Sequence, residues 1–291
     1  METQLRGAIL LNAFSRPDQI RACLSSVFEA NSKAVYPVVV VHQKGNLDSK
    51  KVLDGFEDSI THRLEIKGLF SDALPNINFN RILGYQFCFN WLLADWVFAI
   101  EEDVVISPDT INFIEQTVQI ENKKFFFRGI NLGVRNSSSY NPTTYSRLRF
   151  GLHGQCSVLT RKTWSHFQEA KLLRNSTKRP FDSQVENYIR RGYMVTPNRS
   201  RFFDTGWNGT HAPSDPNHEY FRELHESFVT TFDMPHIYTY EQATHWWGDK
   251  KVEEFNAVTT ATELVRIYYH YLIGLKRLVI GLIKSRTKNE N

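Results

Sequence analysis

The sequence predicts an α/β protein built on a mainly parallel sheet flanked by helices. Apolar runs that read as buried strands alternate with segments that read as helices. The strongest run, Tyr36–His42 (YPVVVVH), is rich in valine and shows no alternation, which suits a parallel strand covered on both faces. The 291 residues are 41% hydrophobic and 13% aromatic, enough for a sizeable core, which excludes a disordered chain.

Each element follows from its local pattern. Gly7–Asn12 (GAILLN) is a short apolar run closed by polar residues, hence a strand. Ser15 can cap the next helix and Pro17 suits its first turn. Ile20, Cys23, Leu24 and Val27 then fall at helical spacing. Asp48–Phe56 reads as a helix and Arg63–Ile66 as a short strand. Asn80–Leu93 reads as a long apolar helix, and Trp96–Ile100 as a strand running straight into Glu101, Glu102 and Asp103. Beyond it, helices are expected over Ser107–Gln119, Arg161–Lys171 and Asp182–Arg191. Strands are expected over Lys124–Asn131, Gly154–Leu159 and Tyr193–Pro197, and loops over Ser137–Ser146 and Asp204–His218. No linker divides the body, so one domain is expected over 1–258, with a nucleotide-binding half (1–106), an acceptor half (107–258) and a tail from 259 to 291.

The formal charge of +4 is unevenly placed. Residues 264–291 carry six basic side chains and one acid, so the rest of the chain is close to neutral at −1. A generally basic nucleic-acid binder is therefore not expected. Three scattered cysteines suit buried thiols in a reducing compartment better than a disulfide framework or a zinc site. METQLRG at the N-terminus has no signal-peptide pattern.

The acidic triplet Glu101-Glu102-Asp103 carries the chemistry. Ligands of such sheets bind beyond the carboxyl ends of the strands, which puts Asn12–Arg16, His42–Gly45 and Glu101–Asp103 on one rim. Consecutive carboxylates repel unless something cationic neutralises them. A divalent ion held by one or two carboxylates and shared with phosphate oxygens meets that need.

The order of apolar strand, helix opening at Ser-Arg-Pro, valine-rich strand, and strand ending in EED before Ser107-Pro108-Asp109 resembles the GT-A class of nucleotide-sugar glycosyltransferases. More narrowly it is similar to family 13, the N-acetylglucosaminyltransferase I group, with features of family 2. The resemblance implies a metal-dependent inverting transferase moving an N-acetylhexosamine or hexose from a nucleotide-diphosphate donor, a UDP-sugar first, to a glycan or lipid-linked glycan. Asp103 would ligate Mn2+ or Mg2+, Glu102 would contact the ribose or waters near the ion, and Glu101 the nucleotide. Asn12, Ser15 and Arg16 would line base and pyrophosphate, although Arg16 equally suits a solvent-facing helix start. Lys44 and Cys88 stand where the family has an aspartate and a histidine that contact uracil, so His42 or Gln43 is the candidate replacement.

Inverting transfer needs one base to deprotonate the acceptor hydroxyl. Pro180–Glu186 (PFDSQVE) resembles the family segment that carries it, with Asp182 on the first aspartate and Glu186 one turn along the same face in reserve. Asp182 also suits an N-cap. In Gly206–His211 (GWNGTH) the Thr210-His211 pair resembles a loop that closes over diphosphate, with His211 as phosphate or metal ligand and Trp207 as a stacking surface. Gly151–Gly154 would form the sugar and acceptor wall. Trp246 and Trp247 read as buried packing.

In the tail, Leu264, Ile267, Tyr268, Tyr271, Leu272, Leu275, Leu278, Val279 and Leu282 form a helical apolar stripe interrupted by basic residues. Such a helix suits an anionic membrane surface through 262–288 and not a span, with packing on the body or a dimer contact as the alternative. That implies a cytoplasmic protein, peripheral on the inner face of the cell membrane. A nucleotidyltransferase using the same acidic strand end and a non-catalytic glycan- or membrane-binding relative are the rival readings.

Overall fold

The computed structural model describes residues 5–33, 35–133, 145–148, 152, 154–167, 172–173, 175–197 and 200–206. The expected loop at 137–144, the residues after 206 and the tail helix lie outside the described residues.

Strands β1 (Gly7–Ala13), β2 (Val38–Lys44), β3 (His62–Lys67) and β4 (Trp96–Glu101) form the parallel half of an eight-stranded sheet. β6 (Phe127–Asn131), β7 (Tyr145–Leu148), β8 (Cys156–Thr160) and β9 (Tyr193–Pro197) complete it in the order β3-β2-β1-β4-β8-β6-β9-β7. Only β8 and β7 run against the other strands. The α/β reading with a mainly parallel sheet therefore holds. Two short strands, β5 (Val104–Ile106) and β10 (Phe202–Asp204), pair antiparallel in a ribbon that the sequence reading had not separated from its surroundings.

Alternation along β1 splits the core into two layers. Ile9 and Leu11 meet α1 (Pro17–Ala30) and α4 (Thr110–Glu121) through Ile20, Leu24, Phe113 and Val118. Ala8 and Leu10 face α3 (Ala73–Gln86) and α6 (Phe181–Ile189). Tyr85 stacks on Phe89, Trp164 and Phe181 there, with ring centroids 5.2–6.0 Å apart. α3 comes so close to β1 that a Cβ on Gly84 would lie 2.5 Å from Leu10 Cδ1.

Several boundaries differ from expectation. α3 begins seven residues before Asn80, with Pro75 in its first turns, and passes into a π-helical turn over Phe87–Trp91. Asn76 and Asn78, poor helix formers by themselves, satisfy their buried amides on neighbouring loops instead of marking a loop. The helix after β8, α5, is described only over Arg161–Trp164, while α2 spans Leu47–Asp54 and is capped by Asn46. Tyr145 and Ser146 belong to β7 and Asp204 to β10, not to loops. Among the described residues no helix is long and apolar enough to cross a membrane.

Away from the acidic rim, Glu121 at the end of α4 is fully buried. It accepts hydrogen bonds from Tyr145 Oη (2.5 Å), Tyr193 Oη (2.7 Å), Arg147 Nη2 (2.7 Å) and Lys124 Nζ (2.8 Å). Burial alone would raise its pKa, but Arg147, Lys124 and the two phenols outweigh it and lower the value to about 2. A carboxyl that titrates lower in the folded than in the unfolded chain stabilises the fold above the unfolded value of 4.5, and that contribution is lost as pH falls toward 2. It corresponds to about 3 kcal/mol at neutral pH. In urea unfolding between pH 7 and pH 3, Glu121→Gln should be less stable at pH 7 by about that amount, with a flatter pH dependence. Equal slopes for the two proteins would remove Glu121 as the source.

Candidate active site at the carboxyl rim

The parallel strands deliver their ends to one rim. Asn12 in β1 lies opposite Val41 in β2 on one side and Glu101 in β4 on the other, and Ala13 lies opposite His42. After Glu101 the chain turns tightly into β5, where Val104 pairs with Asp204 of β10. A buried clamp holds this ribbon. Asp109 forms an ion pair with Arg201 at 2.9 Å and accepts from the Ser107 hydroxyl, while Ser107 N donates to Arg201 O at 3.1 Å. Ser-Pro-Asp after the triplet thus anchors the strand that carries Asp204.

Two arginines serve the three acids of the triplet. Glu101 Oε1 accepts from Arg81 Nη2 at 2.6 Å, yet burial still pushes its pKa up, helped by Asp103 and Asp204. Glu102 is 7% exposed and turns back to the first loop. It accepts from the backbone amides of Phe14 and Ser15, with Arg16 Nε at 3.7 Å. Burial raises it to about 7 against those donors. Asp103, also 7% exposed, pairs through Oδ2 with Arg16 Nη1. The Glu102 carboxylate thus takes the amides of the loop, and α1 starts at Arg16 without a side-chain cap, so Ser15 does not cap it.

Among the described residues, Asp103 Oδ1 is buried and finds no hydrogen-bond partner. The backbone carbonyl of Asp103 accepts from Thr205 N at 2.8 Å and Thr205 Oγ1 at 2.9 Å, which brings Gly206 onto the carboxylate. A Cβ on Gly206 would lie 2.4 Å from Asp103 Oδ2 and 2.8 Å from Asp204 Oδ1, so a side chain there would fill this space. Asp204, nearly fully buried, accepts from Gly206 N and Gln155 Nε2, both at 2.7 Å. Among the described residues no three His, Cys, Asp or Glu side chains form a ready-made metal cage. An orphaned carboxylate oxygen suits a hard cation that takes its remaining ligands from phosphate and water.

Asp182 lies in the first turn of α6 behind Pro180, where its Oδ1 accepts from Ser183 N at 2.7 Å and makes no N-cap. A Cβ on Gly154 would sit 3.6 Å from both Asp182 Oδ2 and Arg81 Nη1, so Asp182 and the arginine that holds Glu101 both border Gly154. Asn78 fixes this arrangement. Its Oδ1 accepts from Phe181 N at 2.9 Å, and its Nδ2 donates to Ser176 O at 2.6 Å and Arg179 O at 2.9 Å. Glu186 instead pairs with Arg190 along the outer side of the helix.

Other expected residues are placed differently. His42 is buried, with no partner for either ring nitrogen among the described residues, and burial followed by Arg63 lowers its pKa. Gln43 Oε1 accepts from Asn80 Nδ2 at 3.4 Å, and Lys44 pairs with Glu65 at 3.0 Å. Cys88 is fully buried in the π turn, which removes it from any nucleotide. Among the described residues, neither polar atom of Asn12, buried at the strand end, finds a hydrogen-bond partner. His153, Trp207, Thr210 and His211 lie outside the described residues.

Sequence reasoning missed Arg81, Asp204 and Gln155. Arg81 had a signal, as a lone cation in an apolar helical run. Asp204 had one too, since Arg-Phe-Phe-Asp-Thr-Gly repeats the apolar-run-then-acid pattern of the triplet.

No protein-family model matches the chain, and no curated protein matches it in sequence. Solved structures do. One is residues 1–349 of TarS from S. aureus in complex with UDP, at 10% identity and a TM-score of 0.50, covering 92% of this chain and 71% of that one. Another is a mannosyltransferase from Pyrobaculum calidifontis in complex with GDP-Man and Mn2+, at 10% identity and a TM-score of 0.47 over 68% of this chain. The chain spans 56% of that mannosyltransferase. The fold of this chain, a mainly parallel sheet with helices on both faces, is thus one it shares with TarS.

Proposed function

We propose that the chain is a glycosyltransferase that takes a sugar from a nucleotide-diphosphate donor. One observation carries this reading: the convergence at one sheet rim of Glu101, Glu102 and Asp103 with Arg16 and Arg81, and of Asp182 across Gly154. Asn12, whose carboxamide has no hydrogen-bond partner among the described residues, and the loop at Ser15 and Arg16 receive the nucleotide. UDP bound to the TarS fragment of like fold supports a nucleoside diphosphate here, and a UDP-sugar is the first donor to try. The narrower likeness to family 13 rests on the motifs at 101–103 and 108–109.

Asp103 would hold Mn2+ or Mg2+, with His211 as a further ligand, and the ion would supply electrostatic stabilisation of the departing diphosphate. The chain's own residues do the rest. Arg16 and Arg81 offer positive charge to the leaving oxygen. Asp182 accepts the proton of the acceptor hydroxyl. The acceptor oxygen bonds to the anomeric carbon as the bond to the diphosphate oxygen breaks, with inversion, and nucleoside diphosphate leaves with that electron pair. An N-acetylhexosamine or hexose is the proposed group, and a glycan or lipid-linked glycan the acceptor. The basic stripe of residues 262–288 supports contact with an anionic membrane, where a lipid-linked acceptor would be met.

Calorimetry with a panel of nucleotide sugars, with and without Mn2+, tests the donor site. Asp103→Ala should lose metal-dependent donor binding, and donor binding unchanged by this substitution would refute the assignment. Asp182→Asn should keep donor binding while transfer falls by about a hundredfold or more. Normal transfer by that variant would end its role as base. In liposome flotation, the full chain should float with anionic vesicles and a chain ending at residue 261 should not. Equal flotation would exclude the tail as the contact.

A further inference from the structure

The acids of the rim are matched by cations of the chain itself. Arg81 takes Glu101. Arg16 takes Asp103 through Oδ2 and lies 3.7 Å from Glu102 Oε1, its planar fork serving two carboxylates at once. The two guanidiniums differ in freedom. Arg81 is set in the body of α3 and is 4% exposed, whereas the Arg16 side chain is 27% exposed and stands at the open start of α1. Arg16 can therefore leave its carboxylate without disturbing the core. On Asp103 itself, Oδ1 is buried and has no hydrogen-bond partner among the described residues. A divalent cation there and a guanidinium on the same carboxylate would repel at contact distance.

We propose that Arg16 is an exchangeable countercharge that couples the two parts of the donor complex. It holds Asp103 in the free protein and transfers to the diphosphate as a divalent cation takes Asp103. The inference rests on the donor-site reading above and adds to it a thermodynamic linkage. A cation alone must displace Arg16 with nothing to receive it. A diphosphate alone meets three carboxylates and a committed arginine. Together each relieves the other, and by reciprocity each raises the affinity of the other by the same factor. Arg16 is in this sense a positioning residue for charge, and its signature is the coupling itself.

The test measures Mn2+ binding to the full chain by electron paramagnetic resonance of the free ion, with no nucleotide, with UDP and with GDP. In the wild type, the nucleotide that binds should raise Mn2+ affinity by about tenfold or more. Arg16→Gln should bind Mn2+ alone about tenfold more tightly than the wild type and lose most of the nucleotide enhancement. Arg16→Lys, which keeps the charge but not the fork, should fall between them, and it carries the comparison if the glutamine variant does not fold. Wild-type Mn2+ affinity together with wild-type enhancement in a folded Arg16→Gln overturns the proposal. If neither nucleotide binds the wild type, the donor-site reading falls instead, and the measurement with Mn2+ alone still decides whether Arg16 guards Asp103.

Discussion

Three consecutive carboxylates at the end of a buried central strand impose the constraint around which the rim is built. Their mutual repulsion and loss of hydration require positive charge and N–H dipoles close by. The chain provides these from separate places. The first loop turns the amides of Phe14 and Ser15 onto Glu102, α1 opens at Arg16 beside Asp103, and α3 contributes Arg81 to Glu101.

The second half of the chain serves the rim by bracing it. The Asp109–Arg201 pair is buried, and a buried pair is an uncertain source of net stability. Its geometric effect is direct: it fixes β5 against β10 and so carries Thr205 and Gly206 onto Asp103. Asn78 does the equivalent for α6 by tying its first amide to α3, the helix that carries Arg81. The Glu121 cluster braces α4 against β7 and β9.

The parallel core was legible because buried strands have a simple signature. Tyr36–His42 and Trp96–Ile100 are unbroken apolar runs, and both appear within two residues of their expected bounds. The acidic triplet was legible for the same reason, since a charge cluster stands out where such a run ends. Less legible were elements whose cause is tertiary. Asn76 and Asn78 look like loop residues, and only their bonds to 69–72 and 176–181 make them helical. The strands β5 and β10 are three residues each and exist because they pair with each other. Asp204 and Arg81 reach the rim through long-range folding that no local spacing encodes. His42 and Cys88 show the converse: a motif position can place a polar residue on the buried side of its element.

Two of the three thiols lie directly beneath the acidic rim. Cys23 Sγ donates to the carbonyl of Glu101 at 3.6 Å, and Cys156 pairs with Ile100 across the β4–β8 ladder. All three cysteines are fully buried, and burial pushes each thiol up, Cys88 to about 12. An alkylating reagent therefore meets neither access nor thiolate while the core stays closed. Labelling of Cys23 or Cys156 thus reports opening of the layer on which the acids stand.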